Sequence, residues 1–275
     1  MVKWRQICFF NGWCREVMKK YIKEIIIRKD LLLYLVKSGL KAEHRNSYLG
    51  YFWWLLDPLL NALVYYFLVV VILGRGGENY GVFLIIGLVA WRWTSSVVSS
   101  SSRSIVSQAS IINQVYLPKA IFPATRTISQ MVNFFFGLIV IAIFLAAYGI
   151  VPGWQVVFLP LVILIQFLIM LSISLIVAFT CVFVRDIDNV MGHITRVWFY
   201  ASPIIWDGGR LPAEYQWIIS WNPLAYVVGA YRDILMYQKV PDLYHLSVIG
   251  LAELILCVLI MIYYSKNEHK IIKAL

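Results

Sequence analysis

Two runs decide the fold: Gly137-Leu138-Ile139-Val140-Ile141-Ala142-Ile143-Phe144-Leu145-Ala146-Ala147 and Pro160-Leu161-Val162-Ile163-Leu164-Ile165-Gln166-Phe167-Leu168-Ile169-Met170. They lie in a stretch, Thr127 to Val184, where none of 58 consecutive residues is Asp, Glu, Lys, Arg or His. A bilayer core about 30 Å thick needs roughly 20 apolar residues per helix. The stretch therefore reads as two membrane spans, divided at Tyr148-Gly149-Ile150-Val151-Pro152-Gly153. The whole chain agrees: of 275 residues, 61% are hydrophobic and 14% charged, against about 45–50% and about 25% in soluble domains. An ordinary water-soluble enzyme is excluded, and the length leaves room for roughly six or seven spans.

Four further spans flank this pair, at about residues 51–73, 82–107, 190–206 and 246–265. The first holds a single charge, Asp57, in an Asp57-Pro58 step near its entrance, where a helix tolerates proline. The fifth is short and marked by His193, Arg196 and Pro203, and the sixth contains Glu253. Between them, Pro212, Pro223 and Pro241 divide the chain into two apolar pieces, 215–221 and 224–236, too brief to cross. They read as interfacial or re-entrant helices, permitted only where protein or water satisfies their backbone ends.

Ahead of the first span, 11 of the 24 basic residues fall between Lys3 and Arg45. Trp13, Val17, Tyr21 and Ile25 recur every four residues with Met18 and Ile22 beside them, while Arg15, Lys19, Lys23 and Lys29 fall elsewhere. A basic block can be a nucleic-acid arm, but this periodicity favours an amphipathic helix on a membrane surface. The expectation is an all-α polytopic membrane protein: a segment 1–50 with an N-terminal amphipathic interfacial helix, six transmembrane helices over 51–265 with short re-entrant helices in the last outside loop, and a cytoplasmic tail, 266–275. With both termini cytoplasmic, 16 basic residues stand inside, and Arg75, Arg210, Arg232 and Lys239 outside, as the positive-inside rule requires.

Cys8, Cys14, Cys181 and Cys257 lack CxxC spacing, so neither a disulfide framework nor a zinc site is indicated. The N-terminus lacks the pattern of a cleavable signal peptide, and the mature chain is expected to begin at Met1. Gly74 to Gly81 is glycine-rich, but a phosphate-cradling loop needs Lys-Ser/Thr opening a helix; a tight hairpin is the simpler reading. Asp186-Ile187-Asp188 matches the metal-binding DxD of glycosyltransferases, yet the other acids are scattered. A secondary transporter would show repeated halves and a relay of mid-membrane ionisable groups; Glu253 and Arg92 are too few. No catalytic residue, metal site or cofactor is assigned to this chain, and the second functional class kept open is a membrane glycosyltransferase or phosphotransferase. An energised transporter whose energy comes from another subunit fits best. That subunit would act on the two short inside segments, 113–123 and 184–189. The second span is the least apolar, with Arg92 between Trp91 and Trp93 and then Ser99 to Ser102 and Arg103. Polar groups at membrane depth face a bundle interior or an aqueous path, although serines also serve as helix-packing glue.

Several stretches then occur in a fixed order between about residues 30 and 265: Asn46-Ser47-Tyr48-Leu49-Gly50-Tyr51-Phe52-Trp53-Trp54-Leu55-Leu56-Asp57-Pro58, Val115-Tyr116-Leu117-Pro118-Lys119, Val184-Arg185-Asp186-Ile187, Phe199-Tyr200-Ala201-Ser202-Pro203-Ile204-Ile205-Trp206, Leu211-Pro212, Asn222-Pro223-Leu224-Ala225-Tyr226-Val227-Val228 and Tyr231-Arg232-Asp233. Together they resemble the transmembrane subunits of ABC-2 type (type V) exporters for lipid-linked polysaccharides, with the closest likeness to the wall teichoic acid translocation permeases. The resemblance implies a homodimer bound to two copies of an ATPase that holds ATP and Mg. It implies outward movement of undecaprenyl-diphosphate-linked wall teichoic acid across the bacterial cytoplasmic membrane, with O-antigen, capsule or another lipid-linked glycan as the alternative cargo. It makes Asn113, Tyr116, Leu117, Pro118, Lys119, Arg185, Asp186 and Asp188 the ATPase-coupling residues, and involves no nucleic acid. Two stretches depart from the family: Lys41-Ala42-Glu43-His44-Arg45 is less uniformly basic, and Ser99 to Arg103 is unusually rich in hydroxyls.

An anionic, sugar-bearing cargo suits arginine and aromatic faces. The expected path residues are Tyr65, Tyr66, Trp91, Arg92, Trp93, Phe199 and Tyr200, with interfacial anchoring as the other use of such aromatics. Lys41 and Arg45 are expected to meet the lipid diphosphate, their other role being positive-inside anchors.

Overall fold

A computed structural model describes residues 23–275 apart from 25, 44–46, 75, 78 and 115–116. The expected amphipathic stripe from Trp13 to Ile25 lies outside the described residues, as do Arg45 and Tyr116. Among the described residues the chain is helix and turn without strand. The helices are α1 (Lys29–Glu43), α2 (Trp53–Tyr66), α3 (Tyr80–Ser102), α4 (Ala109–Gln114), α5 (Ile121–Ala147), α6 (Leu159–Phe183), α7 (Ile187–Ala201), α8 (Trp217–Ser220), α9 (Pro223–Leu235) and α10 (Leu243–Ala274). Among the described residues, five helical stretches are long and apolar enough to cross a membrane: Gly50–Ile72, Tyr80–Ser102, Ile121–Ala147, Trp154–Phe183 and Leu243–Ala274.

The centre of the bundle is α3, which packs against α2, α5, α6, α7 and α9. From Gly81 to Ala90 every residue is buried, as expected of a helix apolar on all sides. Downstream the hydroxyls turn on nearby backbone: Ser95 Oγ donates to the Arg92 carbonyl, Ser100 Oγ to that of Val97 and, just past the helix, Ser104 Oγ to that of Ser101. Such back-bonding competes with the helix ladder, and α3 ends at Ser102 rather than running on to residue 107. The last helix departs the other way. Tyr264, Glu268 and Ile271 are buried along one face, so residues 266–274, expected as a separate tail, are the final turns of α10.

The expected fifth crossing is the difference in the span count. Its helix, α7, has 15 residues, short for a bilayer. Yet the chain from Asp188 to Ile205 follows α3 from end to end: Asp188 binds Arg103 at 2.6 Å, the rings of Phe199 and Trp91 lie 5.5 Å apart, and Tyr80 Oη donates to the Ile205 carbonyl at 2.8 Å. The 23 residues of α3 are about 35 Å long, and 188–205 covers that distance because its last part is not helical. Pro203 forces this by driving Ser202 into extended backbone (ψ 144°).

The next segment returns into the bundle. Asn222 caps α9 by accepting the Leu224 N–H at 3.1 Å, with Pro223 in the first turn. The same side chain accepts Trp198 Nε1–H (3.1 Å) and donates to Ser202 Oγ (2.8 Å). Further along α9, Tyr231 Oη donates to Gln166 Oε1 (2.8 Å), whose amide donates to the Ala90 carbonyl (2.9 Å). This short helix is thus re-entrant, with its polar groups satisfied by protein.

Arg232, also buried, ties the region together. Its guanidinium donates to the carbonyls of Pro203 (2.6 Å), Ile204 (2.8 Å) and Phe83 (3.2 Å) and lies 3.4 Å from the Phe83 ring centroid. Gly87 makes the room: a Cβ there would stand 2.7 Å from Arg232 Nη2 and 2.8 Å from the Ile204 carbonyl oxygen. Gly87→Ala should therefore cost about 1–3 kcal/mol through overpacking, seen as a lowered melting temperature of the detergent-purified chain. An unchanged melting temperature would contradict this packing.

Candidate translocation cleft

One face of α2, one of α3 and one of α7 meet Gln130 and Asn133 of α5 around a cleft of ≈ 710 Å³. Pro58, Asn61 and Tyr65 come from α2, Arg92, Ser95, Ser96 and Ser99 from α3, and Asp188, Thr195 and Phe199 from α7. The spacings of three, four and seven residues within these sets are those of one helix face.

Arg92 Nη2 stands 2.6 Å from Asp57 Oδ2, with both side chains about one-third exposed (34% and 38%). The pair lies near the middle of α3, about 15 Å from either end, where an unpaired charge is costly. At the basic end of the cleft, Asp188 accepts from Ser102 Oγ and pairs with Arg103. Arg196 lines the same cleft and forms no ion pair among the described residues. Toward the Tyr80 end the wall is aromatic: Tyr65 and Trp91 each lie 5.5 Å from Phe199, and Tyr200 lies 5.1 Å from it. Ser95 Oγ donates to the Arg92 carbonyl (3.1 Å) and Ser100 Oγ to that of Val97 (3.4 Å). Their oxygens keep lone pairs to accept from a hydroxyl-bearing ligand.

Of the expected path residues, Tyr65, Trp91, Arg92, Phe199 and Tyr200 line this cleft. Trp93 does not. It is 2% exposed and stacked on Phe134 at 4.6 Å, because residues two apart on a helix point about 200° apart and Trp91 takes the cleft side. Tyr66 faces a separate pocket beside Tyr80 at the far end of the helix. Direct cargo contact by these two is corrected accordingly. Lys41 is exposed on α1, away from the cleft lining. The sequence reading missed Asp57 as the partner of Arg92, and it missed Asn61, Ser95, Ser96, Thr195 and Arg196. The recurrence of Asp188, Thr195 and Phe199 at seven and four residues was the available signal.

The expected coupling residues divide in two. Arg185 and Asp186 are exposed in the turn before α7, whereas Asp188 is turned into the cleft. Leu117, Pro118 and Lys119 are buried, and Leu117 packs in a cluster with Ile105, Leu175, Tyr264 and Ile271. The Lys119 backbone N–H donates to Glu268 Oε1 at 2.8 Å, so the end of α10 braces this turn. Burial lowers the pKa of the Lys119 ammonium, and the Glu268 carboxylate opposes that shift. Of Asn113, α4 supplies the backbone position only.

The bundle, the re-entrant helix and the polar cleft at mid-depth define a multi-pass membrane permease, and the chain belongs to the ABC-2 type transporter family, whose model matches residues 30–236. It is similar to an O-antigen export system permease protein RfbA of Klebsiella pneumoniae, 32% identical over 233 residues that cover 81% of this chain and 90% of the relative. A protein of the same name from Myxococcus xanthus is 29% identical over 227 residues, covering 82% and 87%. A second Klebsiella pneumoniae protein of that name is 28% identical over 242 residues, covering 88% and 93%. These names favour the alternative cargo of the sequence reading over wall teichoic acid.

Proposed function

We propose that the chain is the permease half of an ATP-driven exporter that moves a lipid-linked glycan of the O-antigen type across the bacterial cytoplasmic membrane. Two copies would pair with two ATPase subunits holding ATP and Mg, and this chain performs no bond chemistry itself. The observation that carries the reading is the cleft, where a row of serine hydroxyls runs from Asp188 to an aromatic wall at Phe199. Hydroxyls suit sugar hydroxyls, and aromatic faces suit the apolar faces of sugar rings. The charge balance also separates the two cargoes. Arg92 is compensated by Asp57 and Asp188 by Arg103, which leaves Arg196 as the cleft's uncompensated cation among the described residues. A polyphosphate such as teichoic acid would need more cations than this; a largely neutral glycan would not.

In this reading 188–205 is the fifth of six crossings, both termini lie in the cytoplasm, the exposed turn Val184–Asp186 meets the ATPase, and the buried turn Leu117–Ala120 relays movement from the segment before it. ATP binding can shift the path only through contacts that differ between two states of those turns. Asp186 is exposed, so Asp186→Lys should leave the permease folded and assembled while lowering ATP-driven export severalfold. Export at the wild-type rate would remove Asp186 from the contact. The reading as a whole is tested by purifying the tagged chain from its own membranes. Recovery of a second copy and an ATPase whose hydrolysis moves lipid-linked glycan in proteoliposomes supports it. Recovery of a lone chain that transfers sugar from a nucleotide sugar would replace it with a glycosyltransferase.

A further inference from the structure

A second polar cavity, ≈ 580 Å³, lies between α1 and the basic ends of α3 and α5. It adjoins the cleft, since Ser100 and Gln130 line both. On the α1 side it is bounded by Leu35, Ser38, Gly39 and Ala42, one helical face at i, i+3, i+4 and i+7. Three of these are small, and a Cβ added to Gly39 would find no atom within 4 Å. The opposite wall carries Arg126, half-buried in α5 and without an ion pair among the described residues. Among the described residues no carboxylate lines the cavity.

The donors available there are few and suit an anion. Thr125 and Ser129 give their hydroxyl hydrogens to carbonyls of their own helix, at 2.8 and 2.9 Å. Gln130 accepts Asn133 through Oε1 (3.0 Å), which leaves its NH₂ to point elsewhere. Arg126, assisted by the amides of Gln108 and Gln130, is therefore the recognition element, and guanidinium is the side chain best matched to phosphate oxygens. The outer face of α1 exposes Leu33 and Tyr34 beside Lys29, Asp30, Lys37 and Lys41, with Ile26 and Ile27 exposed just ahead of the helix, a mixed surface that suits the membrane interface. With α1 at the interface, the cavity lies between the edge of the bilayer and the hydrophilic cleft, the position an amphiphile needs if its tail is to stay in the bilayer while its head leaves it.

We infer that this cavity holds the phosphate-bearing headgroup of a polyprenyl-linked cargo before its glycan enters the cleft, with Arg126 as the principal cation. The inference rests on the glycolipid reading above and moves the head contact from Lys41 to Arg126. The test uses the full chain with its ATPase in phosphatidylcholine nanodiscs and a polyprenyl diphosphate bearing a fluorophore on its tail. Saturable binding is expected, weakened at least tenfold by Arg126→Ala and partly restored by Arg126→Lys. Gly39→Leu, whose Cβ meets no atom within 4 Å and whose side chain extends into the cavity, should give a similar loss with the complex still monodisperse. Wild-type binding that neither Arg126→Ala nor Gly39→Leu alters would overturn the inference and leave the glycolipid reading standing. Equal competition by phosphatidylglycerol would make this a general anionic-lipid site, and equal competition by inorganic pyrophosphate a free-anion site; either overturns the cargo assignment. Absence of saturable binding to the wild type would overturn the glycolipid reading and the inference together.

Discussion

Arg92→Ala should lower glycan export at least tenfold, the largest single effect expected in the cleft. The substitution removes the cation at mid-depth and leaves Asp57 without the partner that now stands 2.6 Å away. A carboxylate within a membrane span is costly, up to about 2.5–3.5 kcal/mol at the helix centre on insertion scales, and less for Asp57, about 10 Å from the start of its span. Part of the loss should therefore appear as reduced chain abundance and the rest as reduced export per molecule. The exchange Arg92→Asp with Asp57→Arg separates these two parts. It restores a pair between α2 and α3, so abundance should return to near wild type, while export recovers only partly because the guanidinium now projects from the other wall. Full recovery of both would make the pair purely structural. A single Arg92→Ala variant exporting at the wild-type rate would remove the pair from the path.

Glu268→Ala is expected to leave the complex assembled and to lower export per ATP hydrolysed at least fivefold. The carboxylate lies at the end of α10, 149 residues from the turn whose Lys119 N–H it accepts at 2.8 Å. Leaving that buried N–H without an acceptor costs about 1–3 kcal/mol, enough to shift a two-state turn by roughly tenfold or more. Glu268→Gln keeps an oxygen to accept the bond and loses the negative charge beside the buried Lys119 ammonium. Retained coupling in the Gln variant assigns the effect to the hydrogen bond; loss in both assigns it to charge. The ratio of transported glycan to hydrolysed ATP is the readout, because a merely unstable chain lowers both in proportion. Unchanged ratios in both variants would free the turn from its dependence on α10.

Much of this was legible in the sequence where the signal was local. The uncharged run from Thr127 to Val184 gave the α5–α6 pair, and the prolines at 212, 223 and 241 marked a segment too broken to cross. Arg92 within an apolar run, and Phe199-Tyr200 near the end of α7, pointed to the cleft. What failed depended on angle or distance along the chain. Trp91 and Trp93 look equivalent in a string, yet a helix turns them to opposite sides, one lining the cleft and one stacked on Phe134. Asp57 and Arg92, 35 residues apart, each read as a lone charge until the packing of α2 on α3 joined them. Glu268 and Lys119 were further apart still. The expected fifth span is helical only to Ala201, because Pro203 lets 188–205 follow α3 with fewer helical turns.

The account stands on passage of glycan along the face shared by α2, α3 and α7, and a photo-crosslinking measurement addresses it most directly. A photoreactive residue placed at Ser96 in the cleft, and in a separate variant at Leu254 on the exposed face of α10, is illuminated in proteoliposomes during turnover. The account predicts a glycan adduct at Ser96 that requires ATP and the ATPase, and none at Leu254. Equal adducts at both positions, or an adduct at Ser96 that forms without the ATPase, would contradict it.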